Sequence, residues 1–363
     1  MNTPDLEKFQ PERIGVLIFR QIGDVLLATP ALTELRQRYP KARITVLVND
    51  TTAPILQNNP DVDELVIYQR NLRRESMWKR LAHECHLVRT IRRARFDLVI
   101  DLTGGDRPAA YSWLSRARAR ISFTPRAKVR NFLKRAAYTH PVTRPPATLH
   151  TCERHMQLLA PLGIRPAVLP PLRYEPTAQE IDWARQQAQV GKRPIIAAHF
   201  VANWLFKCWE DKKAAALLDR LQEELGATIW FTSGPEPREI ERSKNILALC
   251  RKAPRTWLGD ISLRQLGALL HEADCFVGVD TAPMHLAAAV GIPTVALFGP
   301  TVAELWRPWS STSVVLQGRC HCREEGRQTC VHNDIRDCLR EISVDAVFKA
   351  VTAVLAARGL AAH

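Results

Sequence analysis

The chain has 363 residues, of which 46% are hydrophobic and 24% are charged, a balance that excludes an intrinsically disordered chain. Domains usually hold about 100–200 residues, so this length predicts two of them. Lys and Arg number 51 against 37 Asp and Glu, and the net charge of +14 favours an anionic partner: an acidic substrate, a membrane surface or nucleic acid.

Short apolar runs alternate with helical patterns along the first half of the chain. We predict strands at residues 13–19, 44–48, 64–67 and 98–101, and helices at 25–39 and 80–95. Such alternation indicates parallel strands joined by right-handed crossovers in a doubly wound sheet. Residues 70–135 are densely basic, which we interpret as a surface that faces an anion; a solvated helical face is the alternative.

The second half repeats this pattern after two proline-rich segments, 141–146 and 166–176, which are typical of loops or linkers. Strands are predicted at 194–199, 228–232, 275–279 and 294–298, and helices at 211–225, 263–271, 280–290 and 343–358.

These patterns together predict an α/β fold of two Rossmann-like, doubly wound domains that face a central cleft. Residues 1–175 form the N-terminal domain, residues 176–342 the C-terminal domain, and residues 343–363 a C-terminal helix that can pack back toward the N-terminal domain. Open sheets of this kind bind ligands at the carboxyl ends of their strands, so we expect the chemistry there.

The N-terminal residues 1–13 are polar and lack the apolar core of a signal peptide. The sequence has no run of about 20 apolar residues that could span a bilayer. We therefore expect a cytoplasmic protein whose nine cysteines are mostly reduced thiols.

Four of the cysteines cluster toward the C-terminus: Cys320, Cys322, Cys330 and Cys338. Four thiolates can hold a tetrahedral structural zinc ion, but this spacing differs from that of common zinc ribbons. A disulfide and reduced thiols packed in a loop are the alternatives. We expect no metal in the chemistry itself.

The junction that follows the predicted strand 275–279 carries the clearest signal for a ligand. Asp280 and Thr281 are good N-caps, and Pro283 falls in the first turn of the helix that they open. A helix N-terminus presents unpaired N–H groups and partial positive charge, so it binds phosphate well. An ordinary strand–helix unit with an Asp cap is the alternative.

A second junction follows the first strand, where Gly23 lies in the loop and Asp24 opens the helix. The G-x-G-x-x-G pattern of dinucleotide-binding folds is absent, which argues against a nicotinamide enzyme. Asp24 is either a helix cap, worth about 1 kcal/mol, or a general base aimed into the cleft. A helix N-terminus favours the charged form of an Asp, so this base would be weak and would act mainly through proximity.

A third junction follows the strand 194–199 and contains Lys207. A lysine close to a departing diphosphate can neutralise the charge that grows in the transition state. A solvent-exposed lysine without a ligand is the alternative.

Residues 278–301, GVDTAPMHLAAAVGIPTVALFGPT, resemble the signature of the heptosyltransferase family of bacterial lipopolysaccharide biosynthesis, glycosyltransferase family 9, which has the GT-B fold. The resemblance implies that this segment holds the diphosphate and sugar of the donor. The matching positions that we assign to the donor site are Asp280, Thr281, Ala282, His285, Gly299 and Thr301.

The resemblance extends to the other two junctions. It implies that Asp24, in a glycine–aspartate pair with Gly23, is the catalytic base. It also implies that Lys207, followed closely by Trp209, stabilises the leaving group. The family usually has a proline soon after that tryptophan, and this chain does not.

The family also has an acidic residue that contacts the donor ribose, and of the candidates Glu236 and Glu239 we prefer Glu239. The cysteine-rich segment resembles that of third heptosyltransferases. Matches are vague between residues 70 and 180, where the acceptor site should lie; we assign acceptor contacts to Arg20, Gly23 and Arg120.

The resemblance implies an inverting enzyme that moves heptose from ADP-heptose to the inner core of lipopolysaccharide, without a cofactor. The acidic core would face the basic N-terminal surface, which can also contact the anionic inner membrane. A relative that uses another nucleotide sugar or a protein acceptor is one alternative. A nucleic-acid-binding protein is another, but the sequence has no helix-turn-helix, zinc-finger or RNA-binding signature, so we expect no nucleic acid partner.

Overall fold

A computed structural model describes residues 4–124, 132–189, 191–325 and 337–360. The chain divides into two compact units, Met1–Glu175 and Pro176–His363. Each unit holds one six-stranded sheet, and the strand pairings within both sheets are parallel. This architecture confirms the predicted α/β class.

The N-terminal unit alternates strands with helices, as parallel pairing requires. Its strands are β1 (Arg13–Ile18), β2 (Arg43–Asn49), β3 (Glu64–Tyr68), β4 (Leu98–Asp101), β5 (Ala119–Phe123) and β6 (His140–Val142). Its α-helices are α1 (Ile22–Leu26), α2 (Thr29–Arg38), α3 (Met77–Ala94), α4 (Asp106–Ser115), α5 (Phe132–Ala137) and α6 (Thr151–Leu159).

The N-terminal sheet has the strand order β3-β2-β1-β4-β5-β6, which places its topological switch point between β1 and β4. The register pairs Ile14 of β1 with Ile44 on one side and Leu98 on the other, so these strands end at a common carboxyl edge. β1, β2 and β4 are almost wholly buried, which explains why they read as continuous apolar runs.

The single helix predicted at 25–39 is in fact two helices, α1 and α2, with a break before Thr29. Pro30 lies in the first turn of α2, where its missing N–H is tolerated. In a continuous helix that N–H would be needed by the carbonyl of Leu26, which instead accepts a hydrogen bond of 2.7 Å from the Thr29 hydroxyl.

The C-terminal unit repeats the scheme. Its strands are β7 (Ile195–His199), β8 (Thr228–Ser233), β9 (Arg255–Leu258), β10 (Cys275–Val279), β11 (Thr294–Phe298) and β12 (Val314–Gln317). Its α-helices are α7 (Ala178–Ala188), α8 (Asp211–Glu224), α9 (Pro237–Leu249), α10 (Leu263–Glu272), α11 (Ala282–Ala289), α12 (Ala303–Trp306), α13 (His321–Glu324), α14 (Asp337–Arg340) and α15 (Val344–Ala356).

The C-terminal sheet has the order β12-β11-β10-β7-β8-β9. If the strands of this sheet are numbered from β7, their order is the same as in the N-terminal sheet. The switch point of the C-terminal sheet lies between β7 and β10.

α15 packs onto the C-terminal sheet. Val347, Val351 and Leu355 are buried in the same apolar cluster as Val277 of β10 and Val295 of β11. The expectation that the C-terminal helix returns toward the N-terminal domain stays a prediction. No helix in the described parts of the chain is long and apolar enough to cross a membrane.

Candidate functional site

A small polar cavity lies at the carboxyl edge of the N-terminal sheet. It has a volume of about 220 Å³ and is lined by Phe19, Arg20, Gln21, Asp24, Asn49, Tyr68, Arg70 and Arg107. These residues lie at or just after the ends of β1, β2 and β3 and, for Arg107, in the first turn of the helix after β4. The cavity therefore occupies the switch point, where sheets of this type bind ligands.

Asp24 is the third residue of α1 and is half-buried. Its Oδ2 accepts a hydrogen bond of 3.3 Å from the backbone N–H of Gln21, as in a capping box. The cap orients the carboxylate, while Asp24 remains part of the cavity wall.

Arg20 is held in place from two sides. Its guanidinium donates a hydrogen bond of 3.1 Å to the carbonyl of Thr103, and its own carbonyl accepts one of 3.0 Å from the Asn49 amide. The Thr103 N–H donates to the buried carboxylate of Asp101, which also accepts the Tyr138 hydroxyl at 2.5 Å. Burial raises the pKa of Asp101. This network supports the loop after β4 against Arg20.

Six residues of this cavity wall were not assigned to the site from the sequence, among them Asn49, Tyr68 and Arg107. The guanidinium carbon of Arg107 lies 4.2 Å from the centroid of the Tyr68 ring, a cation–π contact. Asn49 and Tyr68 are the last residues of β2 and β3. The sequence indicated Asn49 and Tyr68 only by their positions at strand ends. To place them together, the order of the strands in the sheet had to be known.

Arg120, an expected acceptor contact, lies in a different place. It is the second residue of β5, near the amino edge of the sheet. Its guanidinium donates to the carbonyls of Ala137 at 2.7 Å and Ala117 at 2.6 Å. Burial lowers its pKa. These contacts give Arg120 a structural role, and it does not line the cavity that contains Asp24.

The predicted donor residues lie at the carboxyl edge of the C-terminal sheet. Four adjacent strands deliver them: Gly299 and Thr301 follow β11, Asp280 and Thr281 follow β10, Lys207 lies in the loop after β7, and Glu239 lies in the first turn of the helix after β8. This edge includes the second switch point, between β7 and β10.

Lys207 and Asp280 form an ion pair across that switch point. The Lys207 Nζ lies 2.7 Å from Asp280 Oδ2 and 3.4 Å from the Asp280 carbonyl oxygen. The Asp280 side chain is 8% exposed and that of Lys207 is 25% exposed, so the pair is largely shielded from water. Of the two N-cap candidates in the sequence, Asp280 and Thr281, the N-cap of α11 is Thr281.

Thr281 and Ala282 begin α11 and are half-buried, and Pro283 lies in the first turn, as predicted. The Thr281 hydroxyl donates a hydrogen bond of 3.2 Å to the carbonyl of Val279. His285, one turn further along, is buried. The start of α11 thus has the geometry of a phosphate site.

Gly278 allows the close approach of β10 to β7 beneath this site. A Cβ atom on Gly278 would lie 2.5 Å from the carbonyl oxygen of His199. His199 itself is buried, and its Nδ1 lies 3.0 Å from the Thr232 hydroxyl. Burial lowers the pKa of His199 to about 4.

Glu239 and Glu236 differ in their surroundings. Glu239 is buried, whereas Glu236 is exposed and is the N-cap of α9. Burial raises the pKa of Glu239, and the nearby Glu236 charge adds to this shift. A Cβ atom on Gly234 would collide with Glu239 Oε2, so the glycine makes room for the carboxylate. This buried carboxylate, beside a glycine after β8, suits a specific ligand contact better than the exposed one.

Gly299 is enclosed by the segment that contains the cysteine cluster. A Cβ atom there would lie 2.9 Å from Leu339 Cγ and 3.4 Å from Cys338 Sγ. The carbonyl of Thr301, two residues on, accepts a hydrogen bond of 2.9 Å from the Gln317 side chain.

Cys320 and Cys338 are buried and Cys322 is half-buried. Cys330 lies outside the described residues. Within those residues, no group of three or more His, Cys, Asp or Glu side chains could hold a metal ion.

Comparison with known proteins yields consistent matches. A family model for glycosyltransferase family 9 (heptosyltransferase) matches residues 85–335. Lipopolysaccharide heptosyltransferase 3 from Escherichia coli is 33% identical over 299 residues, covering 80% of this chain and 85% of the relative.

Two solved structures share the fold. The glycosyl transferase family 9 from Veillonella parvula DSM 2008 has a TM-score of 0.82 at 21% identity, covering 98% of this chain and 100% of that chain. The E. coli ADP-heptose lps heptosyltransferase II has a TM-score of 0.77 at 20% identity, covering 96% and 99%. These likenesses confirm the predicted fold.

Proposed function

Because the chain belongs to glycosyltransferase family 9, the GT-B heptosyltransferases, we propose that this glycosyltransferase moves heptose from ADP-heptose to the inner core of lipopolysaccharide. One observation carries the proposal. Lys207, Asp280 and Thr281, which match the family's motifs, come together at the switch point of the C-terminal sheet.

In this proposal the C-terminal unit binds the donor. The diphosphate takes the N–H groups at the start of α11, and the Thr281 hydroxyl rotates from the Val279 carbonyl to donate to it. Lys207 lies beside this helix start through its contact with Asp280, so it can neutralise charge on the leaving diphosphate. The buried Glu239 carboxylate accepts hydrogen bonds from the ribose hydroxyls. Gly299 and Thr301 border the same edge.

The N-terminal unit binds the acceptor in the Asp24 cavity. The guanidinium groups of Arg20, Arg70 and Arg107 make this cavity attractive to an anionic sugar, which fits the acid sugars and phosphates of the core. Gly23 adjoins the cavity through its neighbour Asp24. Arg120 is left out of this acceptor site because its guanidinium is bonded to backbone carbonyls elsewhere.

The reaction is a single displacement at the anomeric carbon of the heptose. The acceptor hydroxyl oxygen forms a bond to that carbon as its proton passes to Asp24. The bond from the carbon to the diphosphate oxygen breaks, and ADP leaves with the bonding electron pair. Attack from the face opposite the leaving group inverts the configuration. The proposed place of action is the cytoplasmic side of the inner membrane, where anionic lipids attract the basic N-terminal unit.

The decisive experiment compares transfer by the wild type and by Asp24→Asn. Asparagine retains an oxygen that can cap α1 but cannot act as a base at neutral pH, so folding should be preserved. We expect kcat to fall about 10²–10⁴-fold, the usual contribution of a general base. An Asp24→Asn enzyme with wild-type kcat would sink the assignment of the base, and absence of any transfer by the wild type would sink the function.

A further inference from the structure

The first turns of α3 present three large apolar side chains to solvent. Met77, Trp78 and Leu81 are 73%, 76% and 53% exposed. Single exposed apolar residues are ordinary, but a contiguous group on one part of a helix marks an interaction surface. We call these three residues the apolar wedge.

The remainder of the exposed face of α3 is mainly cationic. Five exposed side chains carry positive charge: Lys79, Arg80, Arg89, Arg92 and Arg93. The only carboxylate in the helix, Glu84, is half-buried and accepts a hydrogen bond of 2.5 Å from the Tyr111 hydroxyl. The opposite face is anchored in the core by Leu87 and Ile91. The solvent side of α3 is therefore both apolar and basic.

The apolar wedge lies at the same edge of the sheet as Asp24, since α3 starts at the carboxyl edge and returns toward the amino edge before β4. A second cavity of about 280 Å³ adjoins the wedge, and Tyr68, Met77, Leu81 and Arg107 are part of its wall. Tyr68 and Arg107 also line the Asp24 cavity. One pair of side chains thus separates the wedge from the Asp24 cavity.

We propose that the apolar wedge inserts into the interface of an anionic lipid bilayer while the arginines of α3 contact the headgroups. Basic amphipathic helices with Trp and Leu on the apolar side bind anionic membranes in this way. The exposed basic residues of α3 match an anionic bilayer in charge, and the three exposed apolar side chains beside them suit its interface. The arrangement would hold the Asp24 cavity at the membrane surface. This deepens the proposed function, which requires a lipid-linked acceptor.

Vesicle flotation of the full chain tests the proposal without donor or acceptor. Membrane binding can therefore be absent while sugar transfer is observed, and transfer can be absent while membrane binding is observed. The vesicles contain phosphatidylethanolamine with phosphatidylglycerol, or phosphatidylcholine alone. The variant replaces all three wedge residues, Met77→Ser, Trp78→Ser and Leu81→Ser. The matched control is Trp113→Ser, because Trp113 is 60% exposed but lies in the last turn of α4, toward the opposite edge.

We expect the triple variant to lower the bound-to-free ratio on anionic vesicles at least about tenfold, while the control leaves it unchanged. Arg89→Gln and Arg92→Gln should each lower it about fivefold. Phosphatidylcholine vesicles should bind the wild type weakly. Equal binding of the wild type and the triple variant would overturn the proposal.

Depth of insertion gives a second measurement. Lipids brominated in the acyl chains should quench part of the tryptophan emission of the wild type, and Trp78→Phe should remove that quenching while Trp113→Phe does not. Quenching that survives Trp78→Phe would count against insertion of the wedge. If the triple variant instead turned a dimer into a monomer with unchanged vesicle binding, the wedge would be a contact between copies of this chain.

Discussion

Lys207 and Asp280 illustrate how one residue pair can serve both stability and chemistry. The Lys207 ammonium neutralises a carboxylate that is almost fully buried, and it also lies at the start of α11, where the donor diphosphate is proposed to bind. A buried ion pair contributes little when complete but is costly to break on one side.

Lys207→Met should therefore have two separable effects. We expect kcat for transfer to fall about 10²–10³-fold because charge on the leaving group is no longer neutralised. We also expect the free energy of unfolding to fall by about 1–3 kcal/mol because Asp280 loses its partner. Transfer kinetics and urea unfolding measure the two effects.

The control for this prediction adds Asp280→Asn to Lys207→Met. The double variant should regain part of the lost stability, since no buried charge is left without a partner, but it should not regain activity. Stability losses that simply add across the two single variants would mean that the pair is not coupled.

His199 gives the protein a predictable acid sensitivity. Burial lowers its pKa from 6.5 to about 4, so the folded state resists a proton that the unfolded chain takes up readily. The stability contributed by neutral His199 is fully present above about pH 6.5 and is lost as the pH falls to about 4. The loss should be on the order of 3 kcal/mol.

Urea unfolding of the wild type and of His199→Gln across this pH range tests the prediction. The free energy of unfolding should fall more steeply with acidification in the wild type, since the glutamine does not titrate. His155, whose pKa burial also lowers to about 4, is present in both proteins and cancels in the comparison. Parallel pH profiles would contradict a buried, neutral His199.

At the scale of elements, the most deeply buried strands were predictable and most edge strands were not, although the edge strand β3 was predicted and the interior, partly buried β5 was missed. β1, β2, β4, β7, β10 and β11 are buried and read as apolar runs. β6, β9 and β12 lie at or near the sheet edges, are short and are only partly buried, so their sequences carry no clear pattern. Pro30 indicated a break between α1 and α2, but the apolar periodicity of residues 25–39 favoured one continuous helix.

In the candidate site, residues close together in sequence were predictable, and contacts between distant segments were not. The Gly23–Asp24 pair could be found because it lies within one strand–helix junction, and residues 278–301 because they form one continuous stretch of sequence. The Lys207–Asp280 contact could not, since the two residues are far apart in sequence and meet only because β7 and β10 are neighbours. Asn49, Tyr68 and Arg107 likewise come from separate strand–helix junctions, so their assembly depends on strand order.

α15 should be required for the stability of the C-terminal unit. Leu355 is 1% exposed and packs in the cluster that includes β10 and β11. Leu355→Ala should lower the free energy of unfolding by about 2–5 kcal/mol, since it leaves a cavity between α15 and the C-terminal sheet. Lys349→Ala, an exposed change on the same helix, should alter it by about 0.5 kcal/mol or less, and urea unfolding that finds equal losses would contradict the assigned packing.

At the scale of the whole molecule, the net charge of +14 has a structural counterpart in the arginines around the Asp24 cavity and along α3. The charge alone was compatible with nucleic acid, a membrane or an acidic sugar. The arginines beside the switch-point cavity favour an anionic sugar group there, and the arginines on α3 favour a lipid surface.

Nucleotide binding should stabilise the folded chain selectively. ADP at about 100 times its dissociation constant should raise the free energy of unfolding by about 2.7 kcal/mol through mass action. UDP and GDP should give smaller increases, and Glu239→Gln should weaken the effect of ADP because the ribose contact is reduced. Thermal unfolding with each nucleotide measures this, and a larger shift with UDP or GDP would point to a different donor.

The repeated strand order has a consequence for how such enzymes diversify. The Asp24 cavity and the apolar wedge are built from residues before 176, and the sheet edge proposed to bind the donor is built from residues after 175. A recombination event near residue 176 would replace all the residues of one of these two sites and none of the other. Recombination would thus change which acceptor is bound while the residues proposed to bind the donor stay unchanged.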